Sequence, residues 1–163
     1  ASPAAPQLSV RMHDEEIDLD YGASPLCGER EGEFDCGPAA GQQAPNVGPI
    51  SVGGQAMALW DLYASGHTLL VAPGSAMASA QCVGLVNAVA ANRGDWITPC
   101  LVNPEGDGRL SPQVVPVADA GQSLVRDYGL ETGGFYLLRP DGYVACRGRR
   151  REDFEAYMAR VLG

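Results

Sequence analysis

The chain predicts an α/β fold, a central mixed sheet with flanking helices, and three observations predict it. Thr68–Ala72 and Trp96–Val102 are apolar runs of strand length separated by a segment of helical period. Phe135–Leu138 and Tyr143–Cys146 flank Arg139-Pro140-Asp141-Gly142, a sequence built for a tight turn between paired strands. The last stretch, Arg151 to Leu162, repeats its apolar residues at helical spacing. With 45% hydrophobic residues in 163 and a mean hydropathy of −0.08, the chain has material for a core. Its 21 Gly and 12 Pro require many turns and argue against an all-helical bundle.

Leu8 to Tyr21 is polar and acidic, and only Ile17–Tyr21 alternates as a strand with one apolar face, which needs a partner sheet. Residues 22–49 combine Gly, Pro and acids without periodicity and read as an extended linker. This divides the chain into an acidic arm, 1–43, with a short strand at 17–21, and an ordered domain, 44–163.

Within that domain, Ala58–Tyr63 is a short helical turn broken by Gly66, and Thr68–Ala72 is apolar throughout, the pattern of a central strand buried on both faces. Ser75 is the expected N-cap of a helix from roughly Ala76 to Asn92, with Val83, Val86, Val89 and Ala90 on one stripe and Gly94 ending it. Trp96–Val102 is the second strand, and Pro99 favours an edge or a bulge there because it has no N–H to donate. After the Gly/Asp-rich loop Asn103–Ser111, Val114–Ala118 leads to Asp119, the expected N-cap of a helix from Ala120 to Tyr128 stopped by Gly129. The hairpin follows, then a terminal helix with the stripe Phe154, Tyr157, Met158 and Val161. Strand, helix, strand, helix, hairpin, helix is the thioredoxin-like order.

Composition narrows the chemistry. All eleven basic residues are Arg, so no Schiff-base or phosphate-loop lysine is available. The net charge of −9 is concentrated at one end: residues 1–36 hold nine acids against Arg11 and Arg30. A near-neutral body with an acidic arm is a poor match to nucleic acid phosphates or anionic lipid, and no apolar run reaches the roughly 20 residues of a membrane span. Cys27, Cys36, Cys82, Cys100 and Cys146 are odd in number, widely spaced and without a CxxC, as expected of reduced thiols in a cytoplasmic protein. His13 and His67 lack partners at ligand spacing, so no metal site is expected. The opening Ala1–Pro6 has no Met, basic start or apolar core of a secretory signal, and the chain reads as cut from something longer or processed.

Phe135 to Arg147, FYLLRPDGYVACR, resembles the "LvRPDGyVAwR" signature of the C-terminal domain of class A FAD-dependent aromatic-ring hydroxylases of the phenol and polyketide hydroxylase type. Three further pieces are similar in the same order: IDLDYG (Ile17–Gly22), GQQAP (Gly41–Pro45) and LWDLYASGHTLLV (Leu59–Val71). The resemblance spans about residues 17–163 and implies a non-catalytic packing domain of a monooxygenase. On that reading FAD and NAD(P)H belong to the parent protein, none is bound by this chain, and its partners are the parent's flavin and substrate domains. The positions carried over are structural: Gly41, Ala44, Pro45, Asp61, Leu62, Arg139, Pro140, Asp141, Gly142 and Arg147. Asp20 replaces the family's Arg, and Cys146 its Trp. Separation from the parent would expose the packing face, and a homodimer is one form the resulting self-association would take.

The residues themselves support the non-catalytic reading. No G-x-G-x-x-G follows a strand. Thioredoxin-like enzymes carry a CxxC where the first long helix begins; here Pro73–Met77 holds no cysteine, and the position of their cis-proline falls at Gly134. One alternative is a standalone thiol peroxidase using Cys82, since peroxiredoxins place a reactive Cys near this helix in a P-x-x-x-[ST]-x-x-C pattern. Ser79 has the right spacing, but Pro73 lies nine residues before Cys82, and the predicted helix places that thiol two turns inside, where the dipole has faded. A freestanding binding module of the same fold is a further alternative. Arg139 and Asp141 are good turn residues that could also contact other domains, and Arg147–Arg151 reads as a solvated helix entry that could hold an anion or the acidic arm.

Overall fold

The computed structural model describes residues 9–13, 16–20, 33–63, 66–106 and 108–162. Tyr21, Gly22, Cys27, residues 22–32 of the expected linker, and Ala64 and Ser65 of the Leu59–Val71 motif lie outside them. The strand expected at 17–21 is β2 (Glu16–Asp20), and its partner is β1 (Ser9–His13), antiparallel with Met12 opposite Ile17.

A second hairpin, β3 (Ile50–Val52) with β4 (Gln55–Met57), is followed by a 3₁₀ turn at Leu59–Leu62. The central sheet comprises β5 (His67–Ala72), β6 (Ile97–Val102), β7 (Val115–Val117), β8 (Gly134–Leu138) and β9 (Val144–Gly148), in the order β7-β6-β5-β8-β9. β5, β6 and β7 are parallel, while β8 and β9 run antiparallel. Helix α1 (Ser79–Arg93) joins β5 to β6, α2 (Ser123–Asp127) joins β7 to β8, and α3 (Arg151–Leu162) ends the chain. This is the mixed thioredoxin-like sheet that the element order predicts. No helix among the described residues is long and apolar enough to cross a membrane.

The continuous apolar runs are explained by burial on two sides. Leu69, Val71, Phe135 and Leu137 face one core with α1 and α3; Leu70, Ala72, Tyr136 and Leu138 face the other with α2. Alternate residues of a strand point to opposite faces, so both sets must be apolar. The second core is completed by the extended segment before the sheet, through Ala44, Val47, Ile50 and Leu59.

Several local expectations are corrected. Helix α1 begins at Ser79, three residues later than expected, and Ser75 does not cap it. Met77 is buried and the Ala76 N–H is taken by the Thr132 carbonyl, 2.8 Å, so 73–78 is held as a loop. The cap comes from Gln81, whose Oε1 accepts the Ala78 N–H at 2.9 Å. On α1 the buried side chains are Cys82, Leu85, Val86, Val89 and Ala90, with Val83 only half-buried. β6 is interior, and Pro99 is tolerated because the short β7 pairs only from Cys100 onward. Val161, expected on the buried stripe of α3, is exposed.

Asp119 caps α2 from farther away than expected. Residues 119–122 form a turn closed by Gln122 N–H to the Asp119 carbonyl, 3.0 Å, so the helix starts at Ser123. The Asp119 carboxylate still reaches the Val125 N–H at 2.9 Å, the third residue of the helix. Gly129, at φ +65°, ends it as expected, with Leu130 N–H bonded to the Val125 carbonyl and Gly129 N–H to that of Arg126.

Candidate functional site

Thioredoxin-like enzymes work where the first long helix begins beside the loop preceding the hairpin. In this chain the loops at 73–77 and 130–134 touch backbone to backbone. A Cβ added at Gly74 would lie 2.1 Å from the Thr132 carbonyl carbon, and one at Gly133 (φ +88°) 2.7 Å from the Gly74 nitrogen. Neither position has room for a side chain.

Cys82 is the fourth residue of α1, one turn from the start rather than two, because the helix begins late. The shorter distance does not activate it. Its side chain is fully buried, its thiol donates to the Met77 carbonyl at 3.6 Å, and burial pushes its pKa up to about 11, with Glu105 adding to the rise. Cys100 is pushed up to about 12 by burial alone. Such thiols are poor nucleophiles near neutral pH. Cys146 is also buried, while Cys36 is exposed.

A cleft of about 660 Å³ opens at the C-terminal ends of β5, β6 and β7, the end at which parallel sheets commonly bind ligands. Glu105, Asp119 and Glu131 line it together with Asn103 and Gln122, and no Arg or His does. Three carboxylates and no cation repel a pyrophosphate, so this cleft does not fit FAD or NAD(P)H. Among the described residues no group of three or more His, Cys, Asp or Glu is placed to hold a metal ion.

Of the positions carried over from the family signature, Gly41, Ala44 and Gly142 meet elsewhere, around the start of β9. Residues 41–44 pair with the hairpin: Gly41 N–H donates to the Val144 carbonyl (2.8 Å), Val144 N–H to that of Gln42 (2.9 Å), and Ala44 N–H to that of Gly142 (2.7 Å). Gly142 has φ +88°, as the turn requires, and Arg139 N–H closes the hairpin on the Tyr143 carbonyl at 2.8 Å. The Pro45 carbonyl accepts the Tyr128 hydroxyl at 2.7 Å. Asp61 accepts the Ala58 N–H at 3.0 Å, capping its own turn, and Leu62 packs on the second core. Arg139 and Asp141 pair across the turn, and Pro140 is exposed at its tip. His67, 5.4 Å from Trp96 in an edge-on contact, has its pKa lowered chiefly by burial and then by Arg139.

Arg147 is buried, and its guanidinium donates to the carbonyls of Cys36 and Gly37 (both 3.3 Å) and to the Tyr136 hydroxyl (3.1 Å). Tyr136 in turn donates to the Tyr128 carbonyl at 2.8 Å. Arg149 donates to the carbonyls of Glu33 (3.3 Å) and Gly133 (2.7 Å). Both guanidinium groups lie over the Phe34 ring, 4.4 and 3.8 Å from its centroid, contacts worth roughly 0.5 to 2 kcal/mol each. The Arg147–Arg151 run is thus divided: two residues hold the arm through its backbone and its ring, while Arg150 and Arg151 pair with Asp153 and Glu155 at the start of α3. Sequence reasoning missed Phe34 and offered Arg149 only as part of the Arg147–Arg151 run. The available signal was that Phe34 is the only aromatic residue in 22–49.

No family model and no curated protein sequence matches the chain. Among solved structures, it is similar to aklavinone-11 hydroxylase in a ternary complex with FAD and aklavinone, at 29% identity over 76% of this chain and 21% of that one, with a TM-score of 0.54. The flavin-dependent monooxygenase PieE, solved with FAD and substrate, gives 21% identity over 83% of this chain and 22% of that one, TM-score 0.54. A putative thiol:disulfide interchange protein DsbE from Chlorobium tepidum gives 18% identity over 80% of this chain and 97% of that one, TM-score 0.57. The likeness to the DsbE protein shows the thioredoxin-like fold. The chain spans about a fifth of the length of the two flavin enzymes.

Proposed function

We propose that this chain is the C-terminal thioredoxin-like domain of an FAD-dependent aromatic-compound monooxygenase, and that it packs against the catalytic domains without catalysing a step. The observation that carries this reading is the 29% identity to a FAD-containing hydroxylase over 76% of this chain. The close backbone contact at Gly74 and Gly133, which leaves no room for a side chain at either position, supports it, as does the acidic cleft that suits neither FAD nor NAD(P)H. On this reading the parent's FAD, reduced by NAD(P)H, supplies the oxygen chemistry, and the residues of this chain contribute packing alone.

Two experiments test it. Titration of the isolated chain with FAD is expected to give no binding; stoichiometric yellow complex formation would overturn the assignment of flavin to other domains. The reading frame upstream of Ala1 is expected to continue into a dinucleotide-binding fold, and a stop codon directly upstream in the native gene would contradict the proposal. The thiol peroxidase alternative predicts peroxide consumption abolished by Cys82→Ser, whereas the buried thiol predicts no turnover.

A further inference from the structure

We infer that Arg147, Phe34 and Arg149 form an exit clamp, which fixes where and in which direction the chain upstream of residue 33 leaves the domain. Three observations converge on the same short segment. Phe34 is held between two guanidinium groups, 4.4 and 3.8 Å from its ring centroid. The carbonyls of Glu33, Cys36 and Gly37 each accept an Arg N–H. Gly37, at φ +88°, lies so close that an added Cβ would be 2.5 Å from the Tyr136 hydroxyl and 2.6 Å from the Tyr128 carbonyl.

Residues 41–44 pair with the start of β9, Ala44, Val47 and Ile50 are buried in the second core, and Phe34 packs against that core beside Tyr136. What the clamp adds is constraint on residues 33–37, Glu-Phe-Asp-Cys-Gly, which would otherwise be a tether. A preceding domain joined through a flexible tether samples many orientations, whereas one joined through a clamped exit samples few. Arg suits this use: its fork of donors meets several carbonyls at once while its flat face stacks on the ring, which a lysine could not reproduce. The purpose of the clamp, though not its geometry, rests on the reading of this chain as one domain of a longer protein.

The test uses the 163-residue chain with Cys27→Ser and Cys36→Ser, nitroxide labels at Gly32→Cys, next upstream of the clamp, and at Ala159→Cys on the exposed side of α3, and pulsed electron–electron distance measurement. The expected result is a narrow distribution that widens about twofold or more in Phe34→Ala and in Arg149→Gln, because removing local contacts frees a segment without unfolding the core. Arg149 and Phe34 are half-buried, so both variants are expected to keep the parent's far-UV circular dichroism. A broad distribution in the parent chain would overturn the clamp, and so would a narrow one unchanged in both variants. The distances are read in this chain alone, so they stand or fall separately from the flavoprotein assignment.

Discussion

A thiol one turn from a helix N-terminus would ordinarily gain acidity from the helix dipole, and Cys82 occupies that position. Desolvation wins there, because the thiolate would have to form in a core lined by Met77, Leu85 and Val86. Cys82 and Cys100 have folded-state pKa values above the unfolded value of 9.0, at about 11 and about 12. The stability they contribute is fully present below pH 9 and is lost as pH rises through the folded values, by up to about 1.4 kcal/mol per pH unit for each group. Urea unfolding between pH 8 and about 11 is expected to show this decline, reduced in Cys100→Ala. Mass-spectrometric mapping after iodoacetamide treatment of the native chain at pH 8 is expected to find Cys36 modified and Cys82 and Cys100 protected; rapid labelling of Cys82 would contradict its burial. Gly37→Ala tests the backbone in the same way. Positive φ and a 2.5 Å contact with the Tyr136 hydroxyl predict a loss above roughly 2 kcal/mol, read as a lower urea midpoint.

At the scale of elements, α2 is the clearest case of a cap that works at a distance. Asp119 is fully buried, its carboxylate accepts the Val125 N–H, and its own N–H donates to the Asn103 side chain at 2.7 Å. Asp119→Ala would leave a buried helix N–H without a partner and is expected to cost about 1 to 3 kcal/mol in thermal or urea unfolding. The sequence announces this residue as a cap because Asp before an apolar segment is a helix-start signal, but it does not announce the intervening turn 119–122, in which Gln122 adopts φ +60°. The hairpin around Arg139–Gly142 is legible almost to the residue, since Pro, Asp and Gly each have a local conformational reason to be there. The start of α1 is not legible, because it depends on a bond between Ala76 and Thr132, more than fifty residues apart. The Pro99 expectation failed for a similar reason: whether a strand is interior depends on the length of its neighbour, and β7 is too short to demand a donor at that position.

For the molecule as a whole, the segment from residue 33 to 57 does more than connect. It supplies Ala44, Val47 and Ile50 to one core, pairs with the hairpin at one edge of the sheet, and at the other meets the end of β7 through Ser51 and Ala118, bonded both ways at 2.8 Å. These contacts pair the start of β9 and the residue after β7, which shortens the edges open to strand-by-strand association. If the isolated chain forms a homodimer, it is therefore expected to do so through side-chain packing, and hydrogen exchange at β7 and β9 should not change with concentration. Gly41, Ala44, Pro45 and the turn Arg139–Gly142 meet around this segment and the hairpin, away from the acidic cleft. The motifs are visible one by one in the sequence, while the meeting of Gly41 and Ala44 with the hairpin needed the fold. The function proposed above places the chain in a flavin-dependent monooxygenase as a non-catalytic domain. Capture of the native polypeptide with an antibody raised against this chain, followed by mass measurement and visible absorption, tests it most directly. The account predicts a polypeptide several times 17.1 kDa that carries the yellow absorbance of flavin; a colourless species of this chain's own mass would contradict it.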